Sequence, residues 1–230
     1  MPGLVPGTPL REALLSDRDG GDIRAFAPVF DGLMPGDDEN RGQRRKMSWL
    51  DQRPDDAMMG SFEAVGQEHI ATVDAAQFRE AMAQLGAAVH VVTTNGPAGR
   101  GGVTATAVVS VSDQPATLLV CLNRRSQIAP ILAENHALCV NTLRAGADNI
   151  ADVFAGRTKC TMEERFNSGT WTELTTGAPA LTDAVVAFDC RVIETKMVAT
   201  HNVVSAGVVA VRLGRPGGAL VYHERAYKQV

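Results

Sequence analysis

The stretch Gly102-Val103-Thr104-Ala105-Thr106-Ala107-Val108-Val109-Ser110-Val111-Ser112-Asp113-Gln114-Pro115 decides the fold class. It is rich in Val and Thr and ends at Asp-Gln-Pro, the pattern of a strand closed by a turn. The same punctuation recurs on both sides of it. Residues 88–94, 117–122, 137–143, 184–198, 203–213 and 219–222 read as further strands, broken by Asn95-Gly96-Pro97 and Arg215-Pro216-Gly217-Gly218. Helical spacing is confined to short pieces near 128–134 and 147–154 and to an opening helix. In that opening helix Asp74 is the N-cap, Phe78, Met82 and Leu85 follow i, i+4, i+7 spacing, and Gly86 is placed to end it. A doubly wound parallel sheet needs a crossover helix after nearly every strand, and these are too few. The expected fold is mainly β, an antiparallel barrel with short peripheral helices.

Composition agrees with that class and excludes several functions. The chain is 45% hydrophobic, enough for a core, but only 5% aromatic, which favours packing through Val, Ala and Thr. Residues 1–75 carry 8 Lys plus Arg against 14 Asp plus Glu, whereas residues 76–230 carry 14 against 12. The slightly basic body suits an anionic small ligand and is too weakly charged for a nucleic-acid surface. Cys121, Cys139, Cys160 and Cys190 form no C-x-x-C pair, so they read as buried thiols of a reducing compartment, without a zinc or disulfide role. No run approaches the ~18 apolar residues of a membrane span. Arg11, Glu12, Asp17 and Arg18 interrupt the one mildly apolar N-terminal segment, so no secretory signal is expected and the cytoplasm is the default location.

Six of the 11 prolines and several charge clusters fall before residue 68. Residues 1–70 therefore read as an acidic N-terminal extension, disordered or loosely attached, with Met47, Met58 and Met59 as candidate later starts. Residues 71–230 read as the folded domain. No Gly-x-Gly-x-x-Gly opens a helix after a strand, which argues against a Rossmann dinucleotide domain; Gly99-Arg100-Gly101-Gly102 precedes a strand and reads as part of a hairpin loop.

Two stretches carry candidate chemistry. Along 102–115 the small Thr, Ala and Ser side chains would let a flat ligand lie against the backbone, although a half-buried strand without a ligand would alternate in the same way. In Cys121-Leu122-Asn123-Arg124-Arg125-Ser126-Gln127-Ile128, a strand end is followed by two guanidinium groups, a hydroxyl and a helix start near Ser126. Those are the ingredients of a monophosphate site, and equally of a capped surface helix with solvated arginines.

The order of segments resembles a known family. Phe78-Arg79-Glu80-Ala81-Met82, Gly86-Ala87-Ala88-Val89, Val91-Val92-Thr93-Thr94, Gly102 to Ala107, Leu118 to Arg124, Cys139-Val140-Asn141-Thr142-Leu143 and Phe154-Ala155-Gly156 together resemble the flavin reductases of the FMN-binding split β-barrel type. The similarity is strongest to the pyrimidine-utilisation flavin reductases. The resemblance implies an NADH-dependent oxidoreductase that reduces FMN and passes it to a partner monooxygenase, working as a homodimer. It also implies roles by position. Thr104, Ala105, Thr106 and Ala107 would line the flavin ring, Cys121, Leu122 and Asn123 would flank the ring and ribityl chain, Ser126 would help hold the phosphate, and Phe154, Gly156 and Arg157 would close over the cofactor. His201 would lie near the nicotinamide. Many relatives read Gly-Asp-His there, whereas this chain has Ala199-Thr200-His201.

Hydride transfer between two such cofactors requires stacked rings and no protein acid, base or nucleophile. No side chain is therefore assigned a catalytic role, and no metal is expected. The other histidines, His69, His90, His136 and His223, and the aromatic residues Trp171, Tyr222 and Tyr227 are read as packing or surface groups. Two further readings stay open at this point: an oxidase of the pyridoxamine-phosphate type, and a flavin- or haem-binding module without catalysis.

Overall fold

A computed structural model describes residues 71–230. The expectations for residues 1–70, the extension and its candidate starts, lie outside the described residues. The opening helix α1 spans Ala75–Ala83, and Asp74 Oδ1 accepts from Ala76 N at 2.8 Å and Gln77 N at 3.0 Å. The helix ends at Gln84, ahead of Gly86, and its Leu85 side is 58% exposed.

Twelve strands follow among the described residues. Seven of them, β2 (His90–Thr94), β3 (Gly101–Ala105), β4 (Val108–Asp113), β5 (Ala116–Asn123), β6 (Ala137–Thr142), β9 (Val186–Val198) and β10 (His201–Leu213), form one antiparallel sheet in the order β3-β2-β6-β9-β10-β5-β4. Strands β3 and β4 stand at opposite edges of this order, yet Thr106 and Ala107 alone connect them. Three residue steps span at most about 11 Å. The sheet must therefore curl until its two edges meet, which makes a barrel with a split between β3 and β4. The expected single strand over 102–112 is in fact two, because the chain has to cross that split. Ala107 O accepts from Cys121 N at 3.0 Å, fixing the crossing against β5.

The barrel interior is filled by alternate residues of these strands, including Val92, Val103, Ala105, Val120, Leu122, Leu138 and Val204. Helix α2 (Ile128–Asn135) closes one end with Ile128 and Leu132. A second core lies outside the sheet, beneath α3 (Asp148–Phe154) and α4 (Met162–Arg165). Phe154, Phe166 and Trp171 meet there edge to face with centroids 5.2 to 5.4 Å apart. Gly102 is required at this contact, since a Cβ would stand 2.4 Å from Phe154 Cε1.

The remaining strands are β1 (Ala87–Ala88), β11 (Leu220–His223) and β12 (Ala226–Gln229), which form a small sheet, and the pair β7 (Trp171–Glu173) and β8 (Pro179–Leu181). Of these, β7, β8 and β12 and the helix α4 had no signal in the strand-and-helix reading, being too short for a period to register. Trp171, Tyr222 and Tyr227 pack in the second core as expected of them. No helix among the described residues is long and apolar enough to cross a membrane.

Candidate functional site

The end of β5 organises the site. Asn123 Oδ1 accepts from Arg125 N at 3.0 Å, and Asn123 O accepts from both Ser126 N at 3.1 Å and Ser126 Oγ at 2.7 Å. The strand is thus turned sharply into α2, whose N-cap is Gln127 and not Ser126. Ser126 is buried, and its hydroxyl is committed to its own turn.

Across the sheet His201 is the register partner of Asn123, and Val203 that of Cys121. The tip of the β9–β10 hairpin is tied to the same turn, because Arg124 N donates to Thr200 O at 3.0 Å. His201 Nδ1 lies 2.9 Å from Thr200 Oγ1, and partial burial lowers the imidazole pKa, which favours the neutral ring. The Thr of Ala199-Thr200-His201 thereby supplies a hydrogen-bond partner for the imidazole. Cys121 and Asn123, two residues apart, face the same side as His201.

Other expected residues have different surroundings. Thr104 is buried, and its Oγ1 donates to Ala151 O at 2.6 Å, pinning β3 to α3. Ala105 and Leu122 point into the barrel core, so only their backbone is available to a ligand. Thr106 and Ala107 form the crossing over the split, next to Cys121. Phe154 is fully buried in the aromatic cluster.

Gly156 has a helix-stopping role. With φ of 77° it follows α3 in the left-handed region, Gly156 N donates to Val153 O at 3.1 Å and Arg157 N to Asp152 O at 3.1 Å, the Schellman pattern. Arg157 is ion-paired to Asp152 at 2.7 Å, and Asp152 also accepts from Tyr227 Oη at 3.0 Å.

The chain leaving Gly156 forms, with Gln127, a cavity of about 310 Å³ whose wall includes Gly156, Lys159, Thr161 and Arg165. Arg165 is 7% exposed. Its guanidinium donates to Gly102 O and Phe154 O at 3.3 Å and to Gln127 Oε1 at 3.4 Å. Gln127, Lys159 and Arg165 were not expected at the site. The one trace in the sequence is Thr161-Met162-Glu163-Glu164, which forms a capping box that sets α4 and so aims Arg165.

Comparison with known proteins identifies the family. The flavin reductase like domain matches residues 82–230. The chain belongs to this family. It is 50% identical over 170 residues to the FMN reductase (NADH) RutF of Methylorubrum extorquens, covering 74% of this chain and 82% of that protein. It is 46% identical over 160 residues to the FMN reductase (NADH) RutF of Pantoea ananatis, covering 70% and 83%. Among solved structures, a protein of Haemophilus somnus 129PT assigned as a flavin reductase superposes with a TM-score of 0.66 at 44% identity, over 69% of this chain and all of that one. BorF, the flavin reductase component of a bacterial two-component tryptophan halogenase, superposes with a TM-score of 0.64 at 25% identity, over 68% and 98%. The expected split-barrel fold and flavin reductase family are thus both found.

Proposed function

We propose that this member of the flavin reductase family oxidises NADH, reduces FMN, and hands the reduced flavin to a partner monooxygenase, in pyrimidine-ring breakdown and in the cytoplasm. The observation that carries the reading is the convergence of His201, Asn123 and the β5–α2 turn on one end of the barrel, beside a cavity walled by two cations. The NADH and FMN named for relatives at 46 to 50% identity support the choice of both cofactors.

The residues present fit FMN. The crossing at Thr106 and Ala107 and the face of Cys121 and Asn123 offer small side chains and backbone groups to a flat ring, and the neighbouring cavity offers positive charge to an anionic tail. FMN, when bound, supplies the capacity to accept a hydride from the reduced nicotinamide. The protein's part is to bind and orient. Thr200 occupies His201 Nδ1, so Nε2 is the ring nitrogen left to hold a ligand's polar edge, and a neutral imidazole adds no charge there. The hydrogen bond between Arg124 N and Thr200 O keeps that imidazole in register with Asn123. The test is steady-state NADH and NADPH oxidation by the full chain with FMN, FAD or riboflavin as acceptor. NADH oxidation that depends on FMN is expected; its complete absence would defeat the assignment.

The same reading includes a homodimer. Val109 and Val111 on β4, Ile193 on β9 and Val209 on β10 are 43 to 62% exposed on one run of hydrogen-bonded strands, apolar surface of the kind that associates. Sedimentation equilibrium should return twice the chain mass, and a monomer at micromolar concentration would remove this part of the proposal.

A further inference from the structure

We infer that Asn123 and His201 form a two-point clamp for a primary carboxamide, so that this pair reads the carboxamide substituent of the nicotinamide and not the flavin. This rests on the FMN reductase reading and adds to it the residues that decide which pyridine nucleotides are accepted.

The backbone fixes how close the two side chains stand. Arg124 N donates to Thr200 O at 3.0 Å, which makes residues 124 and 200 a hydrogen-bonded pair. Pairs alternate along an antiparallel ladder, so the next one, Asn123 with His201, is non-hydrogen-bonded. Side chains are closest in such pairs, with Cβ atoms about 4.5 to 5.5 Å apart on one face. Both residues are half-buried. Around them on that face lie Cys121 and Val203, the next register pair that shares it, and Val198, the partner of His201 on β9. Asn123 and His201 are thus an amide and an imidazole set in a weakly polar surround.

Each of the two groups is held at one atom and presents another. Asn123 Oδ1 accepts from Arg125 N at 3.0 Å, which leaves Nδ2 as the donor the amide can offer a ligand. His201 Nδ1 lies 2.9 Å from Thr200 Oγ1 and can donate to it, which leaves Nε2 as an acceptor. Partial burial favours the neutral ring, so Nε2 keeps its lone pair. Thr200 is therefore a positioning residue that selects the tautomer through Nδ1. One donor beside one acceptor is the complement of a primary carboxamide, which offers one carbonyl oxygen and one N–H side by side. The pyrimidine edge of an isoalloxazine runs acceptor, donor, acceptor, and a two-point pair would leave one of its carbonyls unmet.

Nucleotides that differ only at the carboxamide test the pair. The acetylpyridine analogue of NAD keeps the carbonyl and carries a methyl in place of the NH2. Oxidised nucleotides do not react with oxidised FMN, so calorimetry on the full chain with FMN present gives dissociation constants for NAD and for the analogue. Values of kcat/KM for the two reduced forms are measured beside them. The wild type should bind NAD about tenfold more tightly than the analogue, the usual scale for one acceptor left unpaired. His201→Phe removes that acceptor and should weaken NAD about tenfold with the analogue unchanged, erasing the preference. Asn123→Asp keeps the oxygen that Arg125 N needs and loses the donor, so both nucleotides should weaken about tenfold while FMN binding stays within about twofold. Thr200→Val should cut the preference to about threefold and Thr200→Ser should restore it, which a merely structural role of the hairpin tip would not do. A melt of each variant accompanies the titrations, and if His201→Phe does not fold, the Thr200 pair decides. Equal losses of NAD and analogue in His201→Phe, a defect of Asn123→Asp confined to FMN, or an unchanged preference in every folded variant would overturn the clamp. Any of these would leave FMN-dependent NADH oxidation by the wild type standing, whereas loss of that activity would strike the functional reading itself.

Discussion

Replacing Thr104 by Val separates a structural threonine from a ligand-binding one. Thr104 is fully buried and its hydroxyl donates to Ala151 O at 2.6 Å, bridging β3 and α3. Ala151 O also accepts from Ala155 N at 2.9 Å, so the substitution does not orphan that carbonyl. The cost is then the net worth of one buried hydrogen bond, about 1 kcal/mol, without the full penalty of an unsatisfied acceptor. A methyl placed at a distance suited only to O–H···O contact must also push β3 from α3, adding on the order of 0.5 to 1 kcal/mol. The sum is roughly 1.5 to 2 kcal/mol, which for a domain of this size lowers the melting temperature by about 3 to 8 °C. Thr104→Ser should recover most of it. Thermal melts and FMN titrations of the same samples make the check: the melting point should fall while FMN affinity stays within about twofold. An unchanged melting point with a tenfold loss of FMN affinity would refute the placement of this hydroxyl against α3.

His90 is buried beside Thr142 Oγ1 at 3.0 Å, and burial pushes its pKa down to about 4 from an ordinary value near 6.5. Between those values the unfolded chain binds a proton that the native chain refuses, so its contribution is complete above pH 6.5 and is lost as the pH falls toward 4. The loss amounts to roughly 3 kcal/mol, and urea midpoints measured across this range should fall less steeply in His90→Gln. Asp189, fully buried, accepts from Thr175 N and Thr176 N at 2.7 Å each. Asp189→Asn should loosen that loop and cost about 2 to 3 kcal/mol, seen as faster amide exchange at Thr175 and Thr176, and unaltered exchange there would count against the latch. Gly214→Ala has no room, because its Cβ would stand 1.9 Å from Ala184 O, a backbone atom. It should reduce soluble yield or stability by about 3 kcal/mol or more, and a variant as stable as wild type would show the two segments to be further apart.

The architecture was readable because antiparallel strands announce themselves locally. Val- and Thr-rich runs and their Gly and Pro breaks are written within ten residues, and strands β5, β6, β9 and β10 fell within two residues of their expected ends. The break at Thr106 and Ala107 was not readable. It exists because β3 and β4 belong to opposite edges of the sheet, a property of the whole order. The site was legible in pieces. The Asn123 turn and the Gly156 stop have local chemical signatures, whereas the meeting of Asn123 with His201 is a matter of register between β5 and β10. Arg165 lies on a short polar stretch with no local signature of burial. Its burial depends on Gly102, whose missing side chain lets Phe154 close against β3 and brings the Phe154 and Gly102 carbonyls to the same guanidinium.

These connections make the two ends of the site mechanically dependent on each other. The β9–β10 hairpin holds His201 and, through Thr200 O, the Arg124 amide. Arg124 lies inside the turn that runs from Asn123 to Ser126, and Gln127, the residue after it, accepts from Arg165 in the cavity wall. A shift of the hairpin tip therefore displaces the imidazole and the α2 start together, through a chain of hydrogen bonds with few soft torsions between them. On the proposed function, the strands fix where the flat part of a ligand would rest, since their alternate side chains are spent on the barrel core. Discrimination among ligands would then fall to the turn after β5, the hairpin tip and the segment from Gly156 to Arg165, the parts of this end of the barrel whose side chains are free of that duty.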